Sequence, residues 1–184
     1  MKPQSDFTET QISSTPVFDG RLLHVRQDEV RLPDGSSATR EYIVHPGAVM
    51  ILALLDDGRL LLERQFRYPM RQHMYELPAG KLDPGEDPLE SAKRELLEET
   101  GYVAQQWRAL TTVYPIVAYC TEQIHIYLAR GLSFQGQRLD QGEFVEVLEI
   151  SIKQGLDWVH SGRIRDAKTV LGLLWAERIV QAQW

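Results

Sequence analysis

Residues 80–102 read GKLDPGEDPLESAKRELLEETGY, a helix with its start and stop written into it. Asp87 is a good N-cap, Pro88 suits the first helical position, and Glu90 stands where a capping box places its acid. Gly101 supplies the stop, so the spacing predicts a helix over 88–100. Leu89, Ala92 and Leu96 then form one apolar stripe for a core. Glu95, Glu98 and Glu99, related by i,i+3 and i,i+4, crowd a single turn. Two carboxylates about 6 Å apart repel by roughly 3 kcal/mol at an effective dielectric near 20. Glu98 and Glu99 also sit at the helix C-terminus, where the dipole favours cations, and Arg94 offsets only part of their charge. A sequence selected for stability alone would avoid this arrangement, and local rules fail in this way at functional sites.

A hard divalent cation resolves the conflict, because Mg2+ and Mn2+ take oxygen ligands. The plain alternative is a solvated acidic helix face. His24, His45, His73, His125 and His160 are scattered and form no pair at zinc-hydrolase spacing. Cys120 is the single cysteine, which excludes an internal disulfide and any zinc site built from several cysteines. As a nucleophile it has no evident His or Asn partner.

Outward from this helix, residues 17–32 mix apolar and polar positions in a strand-like way. Pro33-Asp34-Gly35 signals a turn and 40–44 a return strand. Residues 48–55 are nearly all apolar, Asp56-Asp57-Gly58 is a hairpin signal, and Leu60-Leu61-Leu62 continues beyond it as the second of two buried strands. Further strands are expected at 107–114, 123–129 and 144–150. Helices are expected at 152–161, opened by Ser151 and stopped by Gly162, and at 166–182. This order predicts an α+β fold with helices packed on a mixed sheet.

Residues 1–15 read as a loose polar arm without the apolar stretch of a secretion signal. No apolar run approaches the roughly 20 residues of a membrane span. With 20 Lys+Arg against 26 Asp+Glu the net charge is −6, which disfavours a nucleic-acid binder. The expectation is a cytoplasmic protein with neither nucleic acid nor membrane as partner.

The same stretch matches the box of the Nudix hydrolase family: G, five residues, E, seven residues, R-E-apolar-x-E-E-x-G-apolar. The matching residues are Gly80, Glu86, Arg94, Glu95, Leu96, Glu98, Glu99, Gly101 and Tyr102. Seven fixed residues at about one in twenty each make a chance match of about 10^-9 per start position. The resemblance implies a Nudix-type α/β/α sandwich with a mixed central sheet over 46–184, the catalytic domain. It also implies an N-terminal antiparallel β-hairpin region over 1–45, used for dimerisation and substrate contact. The implied activity is hydrolysis within the pyrophosphate of a nucleoside diphosphate linked to another moiety, using one to three Mg2+ or Mn2+ ions. Carried over residue by residue, Glu95 and Glu99 are metal ligands, Glu98 is a third, and the backbone carbonyl of Ala79 is another. Arg94 orients the glutamates, Glu86 assists from the loop, and Gly80 and Gly101 are structural.

Three further segments resemble the ADP-ribose and nucleoside diphosphate sugar pyrophosphatases: HPGAV at 45–49, QFRYP at 65–69 followed by YELPAG at 75–80, and GRIRDAKT at 162–169. In that subfamily Arg67 is placed to contact substrate phosphate and Arg40 to do so across an intertwined homodimer. Phe18 is a candidate to stack on the base, and Glu122 to touch substrate or metal. Glu143, in a loop before the last strand, is the expected catalytic base, with Glu146 as runner-up; Glu98 and Arg94 complete the catalytic set. One departure leaves the sugar and base open: Pro115-Ile116-Val117-Ala118 stands where ADP-ribose enzymes carry Pro-x-Pro-Gly. A Nudix hydrolase of nucleoside triphosphates or dinucleoside polyphosphates, or a non-catalytic nucleotide sensor, remain the alternatives.

Overall fold

The computed structural model describes residues 6–181. In chain order its strands are β1 (Thr10–Asp19), β2 (His24–Arg31), β3 (Ser37–Val44), β4 (Ala48–Ala53), β5 (Arg59–Arg67), β6 (Gln72–Glu76), β7 (Ala79–Lys81), β8 (Tyr102–Val113), β9 (Ile124–Phe134) and β10 (Val145–Ser151). The helices are α1 (Pro88–Glu95), α2 (Ile152–His160) and α3 (Ala167–Val180).

The fold is organised by β4, whose six residues are all apolar and all buried. Met50 and Leu52 point to a core shared with Leu173 and Ala176 of α3, and Val49 and Ile51 to a second core shared with Ala92 and Leu96 of α1. A strand covered on both faces loses the polar alternation of a half-exposed one. β4 pairs in parallel with β9 and antiparallel with β7, within the order β7-β4-β9-β8. A second sheet runs β10-β5-β6, and β5 also serves both cores, with Leu60 and Leu62 on one side and Leu61 on the other. The result is the expected α/β/α sandwich on mixed strands. Among the described residues no helix is long and apolar enough to cross a membrane.

Four expectations need correction. The turn at 56–58 closes, with Gly58 N donating to Leu55 O at 2.9 Å, yet β4 and β5 join different sheets and meet only at an isolated Leu54–Leu60 bridge. Each strand has two other neighbours that complete its ladder. The arm expected over 1–15 is strand from Thr10 onward, paired with β2. The run at 17–32 is two strands broken at 20–23, where Gly20 N donates to Leu23 O. With β3 these strands form a three-stranded antiparallel sheet rather than a lone hairpin. Nearly all of β1 is exposed in the single chain, so no apolar period marks it. Finally, Asp87 does cap α1, accepting from Leu89 N at 2.9 Å, but Glu90 turns to Lys93 at 2.7 Å instead of closing the box. Ser151 and Asp166 cap α2 and α3. The end of the last helix expected at 182 lies outside the described residues.

Candidate active site

Helix α1 does not run on to residue 100 as regular α-helix. It passes at Leu96 into one π-helical turn, Leu96–Thr100, before Gly101 stops it. π-bulges are rare and gather at functional sites. Glu98 and Glu99 lie in this wider turn, and the three glutamates separate in depth. Glu98 keeps partial solvent access, Glu95 is largely covered, and Glu99 is buried, with its Oε2 accepting from Ala79 N at 2.9 Å.

Gly80, at the start of the box, lies under the Glu95 carboxylate. A Cβ built there would fall inside that carboxylate, so only glycine leaves room for it. Gly101 has φ 77, and a Cβ there would meet Gln137 N at 2.6 Å and Gly136 C at 2.7 Å. The close approach lets the loop after β9 settle on the open carbonyls of the π turn. Arg138 N donates to Glu98 O at 3.0 Å, Gln137 Nε2 to Glu99 O at 2.6 Å, and Gln135 N to Gly101 O at 2.7 Å. This seam satisfies the helix end and carries Glu143 to the mouth of the cluster, where it shares a cleft of about 200 Å³ with Gln65, Glu95, Glu98 and Glu99.

The chain's own cations are already committed. Arg94 takes Glu86 through Nε and Nη2, both at 2.9 Å, and Glu95 and Glu98 through Nη1 at 2.9 and 3.0 Å. The Arg94 hydrogen bonds hold the Glu86 carboxyl down at about 2. Arg67 grips Glu76 with a fork of 2.6 and 2.8 Å, and Lys168 joins the same carboxylate. Burial works against the charged form of Glu76, yet Arg67 and Lys168 outweigh it and hold this carboxyl also at about 2.

No described Lys or Arg forms an ion pair with Glu99 or with Glu63, a carboxyl of β5 packed against it. Burial first, then the neighbouring Glu95 charge, pushes Glu99 up to about 8. Burial and the Glu99 charge push Glu63 well up too. Burial also raises Glu95, although Arg94 opposes it. These raised values predict the pH dependence of the metal-free fold. Its stability is fully present below the unfolded carboxyl value near 4.5 and falls as pH rises towards 8. In EDTA, the urea midpoint should therefore decline between pH 5.5 and 8.5; a flat or rising midpoint would contradict the burial of this pair.

The donor set fits a hard divalent cation. It is all oxygen, it includes the orphaned buried Oε1 of Glu63, and Gly80 leaves open the space that Glu95 occupies.

A second cleft, of about 430 Å³, adjoins the first. Arg67, Ala79, Gly80 and Lys81 line both, and Pro115, Ile116, Glu122 and Lys168 line the larger one. The structure thus brings Ala79, Arg94, Glu95, Glu98, Glu99, Glu143 and Arg67 together, with Glu122 next door and 3.8 Å from His45 Nε2. It does not bring in the others. Arg40 pairs with Glu9 on the outer sheet, Phe18 is exposed beside Gly20, and Glu146 turns to Arg64 at 3.1 Å. Sequence reasoning missed Glu63, Glu76 and Lys168. The signal for Glu63 was available: it interrupts an apolar strand at a position in step with buried Leu61.

Residues 44–169 match the Nudix domain, and residues 9–43 match the nucleoside diphosphate sugar hydrolase N-terminal domain. The chain is 38% identical over 179 residues to the ADP-ribose pyrophosphatase of Bacillus subtilis (strain 168), covering 95% of this chain and 97% of that protein. It is 33% identical over 140 residues to the GDP-mannose pyrophosphatase of Yersinia enterocolitica, covering 71% of this chain and 73% of that one. The crystal structure of an ADP compounds hydrolase superposes with a TM-score of 0.87 over 98% of both chains at 23% identity, a likeness of fold. With every fixed position of the box filled, and its helix, loop and glycines folded around one carboxylate cluster, the chain belongs to the Nudix hydrolase family.

Proposed function

We propose that this enzyme hydrolyses the pyrophosphate bond of ADP-ribose or a related nucleoside diphosphate sugar, giving a nucleoside monophosphate and a sugar phosphate, with Mg2+ or Mn2+ as cofactor. The observation that carries this reading is the junction of the two clefts. A carboxylate cluster short of cations lies on one side, a pocket large enough for a nucleoside or sugar lies on the other, and Arg67 stands between them. The relatives named above differ in base and sugar but share the nucleoside diphosphate sugar.

Glu95, Glu98, Glu99 and the Ala79 carbonyl are the ligands in this reading, and a bound cation supplies charge neutralisation at the phosphoanhydride. Arg94 holds Glu95 and Glu98 from the side away from Gly80. Arg67, whose Nε and Nη2 are spent on Glu76, keeps Nη1 for a phosphate oxygen. Glu143 takes the proton of the attacking water as its oxygen bonds to phosphorus and the phosphoanhydride P–O bond breaks. Glu122 and Ile116 border the pocket for the remaining moiety.

The homodimer is part of the same proposal. The outer sheet exposes Ile12, Val17, Phe18, Leu22 and Leu23, an apolar set that a second copy would cover, bringing Arg40 and Phe18 to the partner's cleft. Light scattering should give twice the chain mass; a monomer would remove Arg40 and Phe18 from the site. The lone Cys120 thiol suits a reducing compartment such as the cytoplasm.

The test is a panel of ADP-ribose, GDP-mannose, NADH, diadenosine polyphosphates and nucleoside triphosphates, assayed with Mg2+ and then with EDTA. Mg2+-dependent turnover of a nucleoside diphosphate sugar is expected. Turnover of triphosphates alone would move the substrate class, and turnover of nothing would favour a sensor.

A further inference from the structure

Strand β5 presents Leu61, Glu63, Gln65 and Arg67 on one side, in the period of two. Leu61 belongs to the core beneath α1, and Gln65 and Arg67 line the acidic cleft. Glu63 lies between them, 1% exposed, with its carboxyl against Glu99 and its Oε1 without any hydrogen-bond partner. It also stands directly opposite Glu76 across the β5–β6 ladder, where like charges destabilise a sheet. Glu76 is answered by Arg67 and Lys168; Glu63 has no such cation. A leucine, as at the three preceding positions, would serve packing without the cost of an uncompensated buried carboxylate. An acid retained here works against the fold and towards whatever Glu99 holds.

We propose that Glu63, which lies outside the Nudix box, is a positioning residue of the cation site: it fixes the Glu99 carboxylate from beneath and adds a buried negative charge that tightens divalent-cation binding. This rests on the cation-dependent reading above.

The experiment is Mn2+ titration, followed by electron paramagnetic resonance, of the wild type, Glu63→Gln, Glu63→Leu and, as reference, Glu99→Gln, with thermal melts of each in EDTA. Both Glu63 variants should fold, melt at or above the wild type without metal, and bind Mn2+ about 10- to 100-fold more weakly, the range for residues that support metal ligands. Affinity within about threefold of wild type in either variant that folds would overturn the assignment. So would both variants melting well below the wild type or failing to fold, since that would make Glu63 a structural group. A wild type that binds no Mn2+ would sink the parent reading itself, a result distinct from loss confined to the variants.

Discussion

Glu99→Gln should abolish hydrolysis, by about a thousandfold or more in kcat/KM, while the metal-free protein melts higher than the wild type at pH 8. The first half follows from position. Glu99 is the most buried of the three box glutamates, and Ala79 N fixes one of its oxygens. A cation that loses this ligand loses part of the several kcal/mol it contributes to phosphoryl chemistry, and each 1.36 kcal/mol is about tenfold in rate. The second half follows from the burial that pushes Glu99 up to about 8. Glutamine keeps the shape and can still accept from Ala79 N. Its amide can donate to Glu63, which ends the contest of two carboxyls for one proton. The gain should be about 1–3 kcal/mol, as for satisfying a buried polar group, or roughly 2–10 °C for a chain of this size. Calorimetry in EDTA and a phosphate-release assay in Mg2+ read the two halves. An active variant would remove Glu99 from the ligand set, and a melting temperature below the wild type would show that the carboxylate stabilises the fold.

Glu143→Gln should have the next largest effect, a fall in kcat of about 10^2- to 10^4-fold, the contribution of a general base. Mn2+ affinity should be nearly unchanged, because Glu143 enters the cluster from the cleft mouth and not from the π turn. The loop that carries it is fastened by main chain and Gln137 rather than by its own carboxylate, so the substitution leaves the loop seated. An unchanged kcat would pass the base role to Glu122, which borders the neighbouring cleft. Glu146 is a weaker successor, since it pairs with Arg64 away from the cluster.

What the sequence showed and what it hid have separate physical causes. The 80–102 stretch carries its own cap, stop and charge conflict, so the helix, its glycines and its three glutamates could be read without knowing what they touch. The buried strand β4 was readable from its unbroken apolar run. The separation of β4 from β5 was not, because a tight turn fixes chain direction but not which ladder each strand later joins. The outer sheet was half hidden, since its strands lack an apolar period in the single chain. At the site, the carboxylates of the box were found and their depths were not. The π turn alters the spacing that a regular helix would give, and it sends Glu99 inward. Glu63, Glu76 and Lys168 come from three different elements, and nothing local links them; only the packed sheet and α3 bring them together.

The most direct test of the account is a crystal of the protein with Mn2+ and a non-hydrolysable ADP-ribose analogue, read by anomalous scattering. The account predicts manganese peaks within coordination distance of Glu95, Glu99 and the Ala79 carbonyl, with the analogue's pyrophosphate bridging the two clefts beside Arg67. No manganese among these residues, with Glu95 and Glu98 still held by Arg94 and the analogue bound elsewhere, would contradict it.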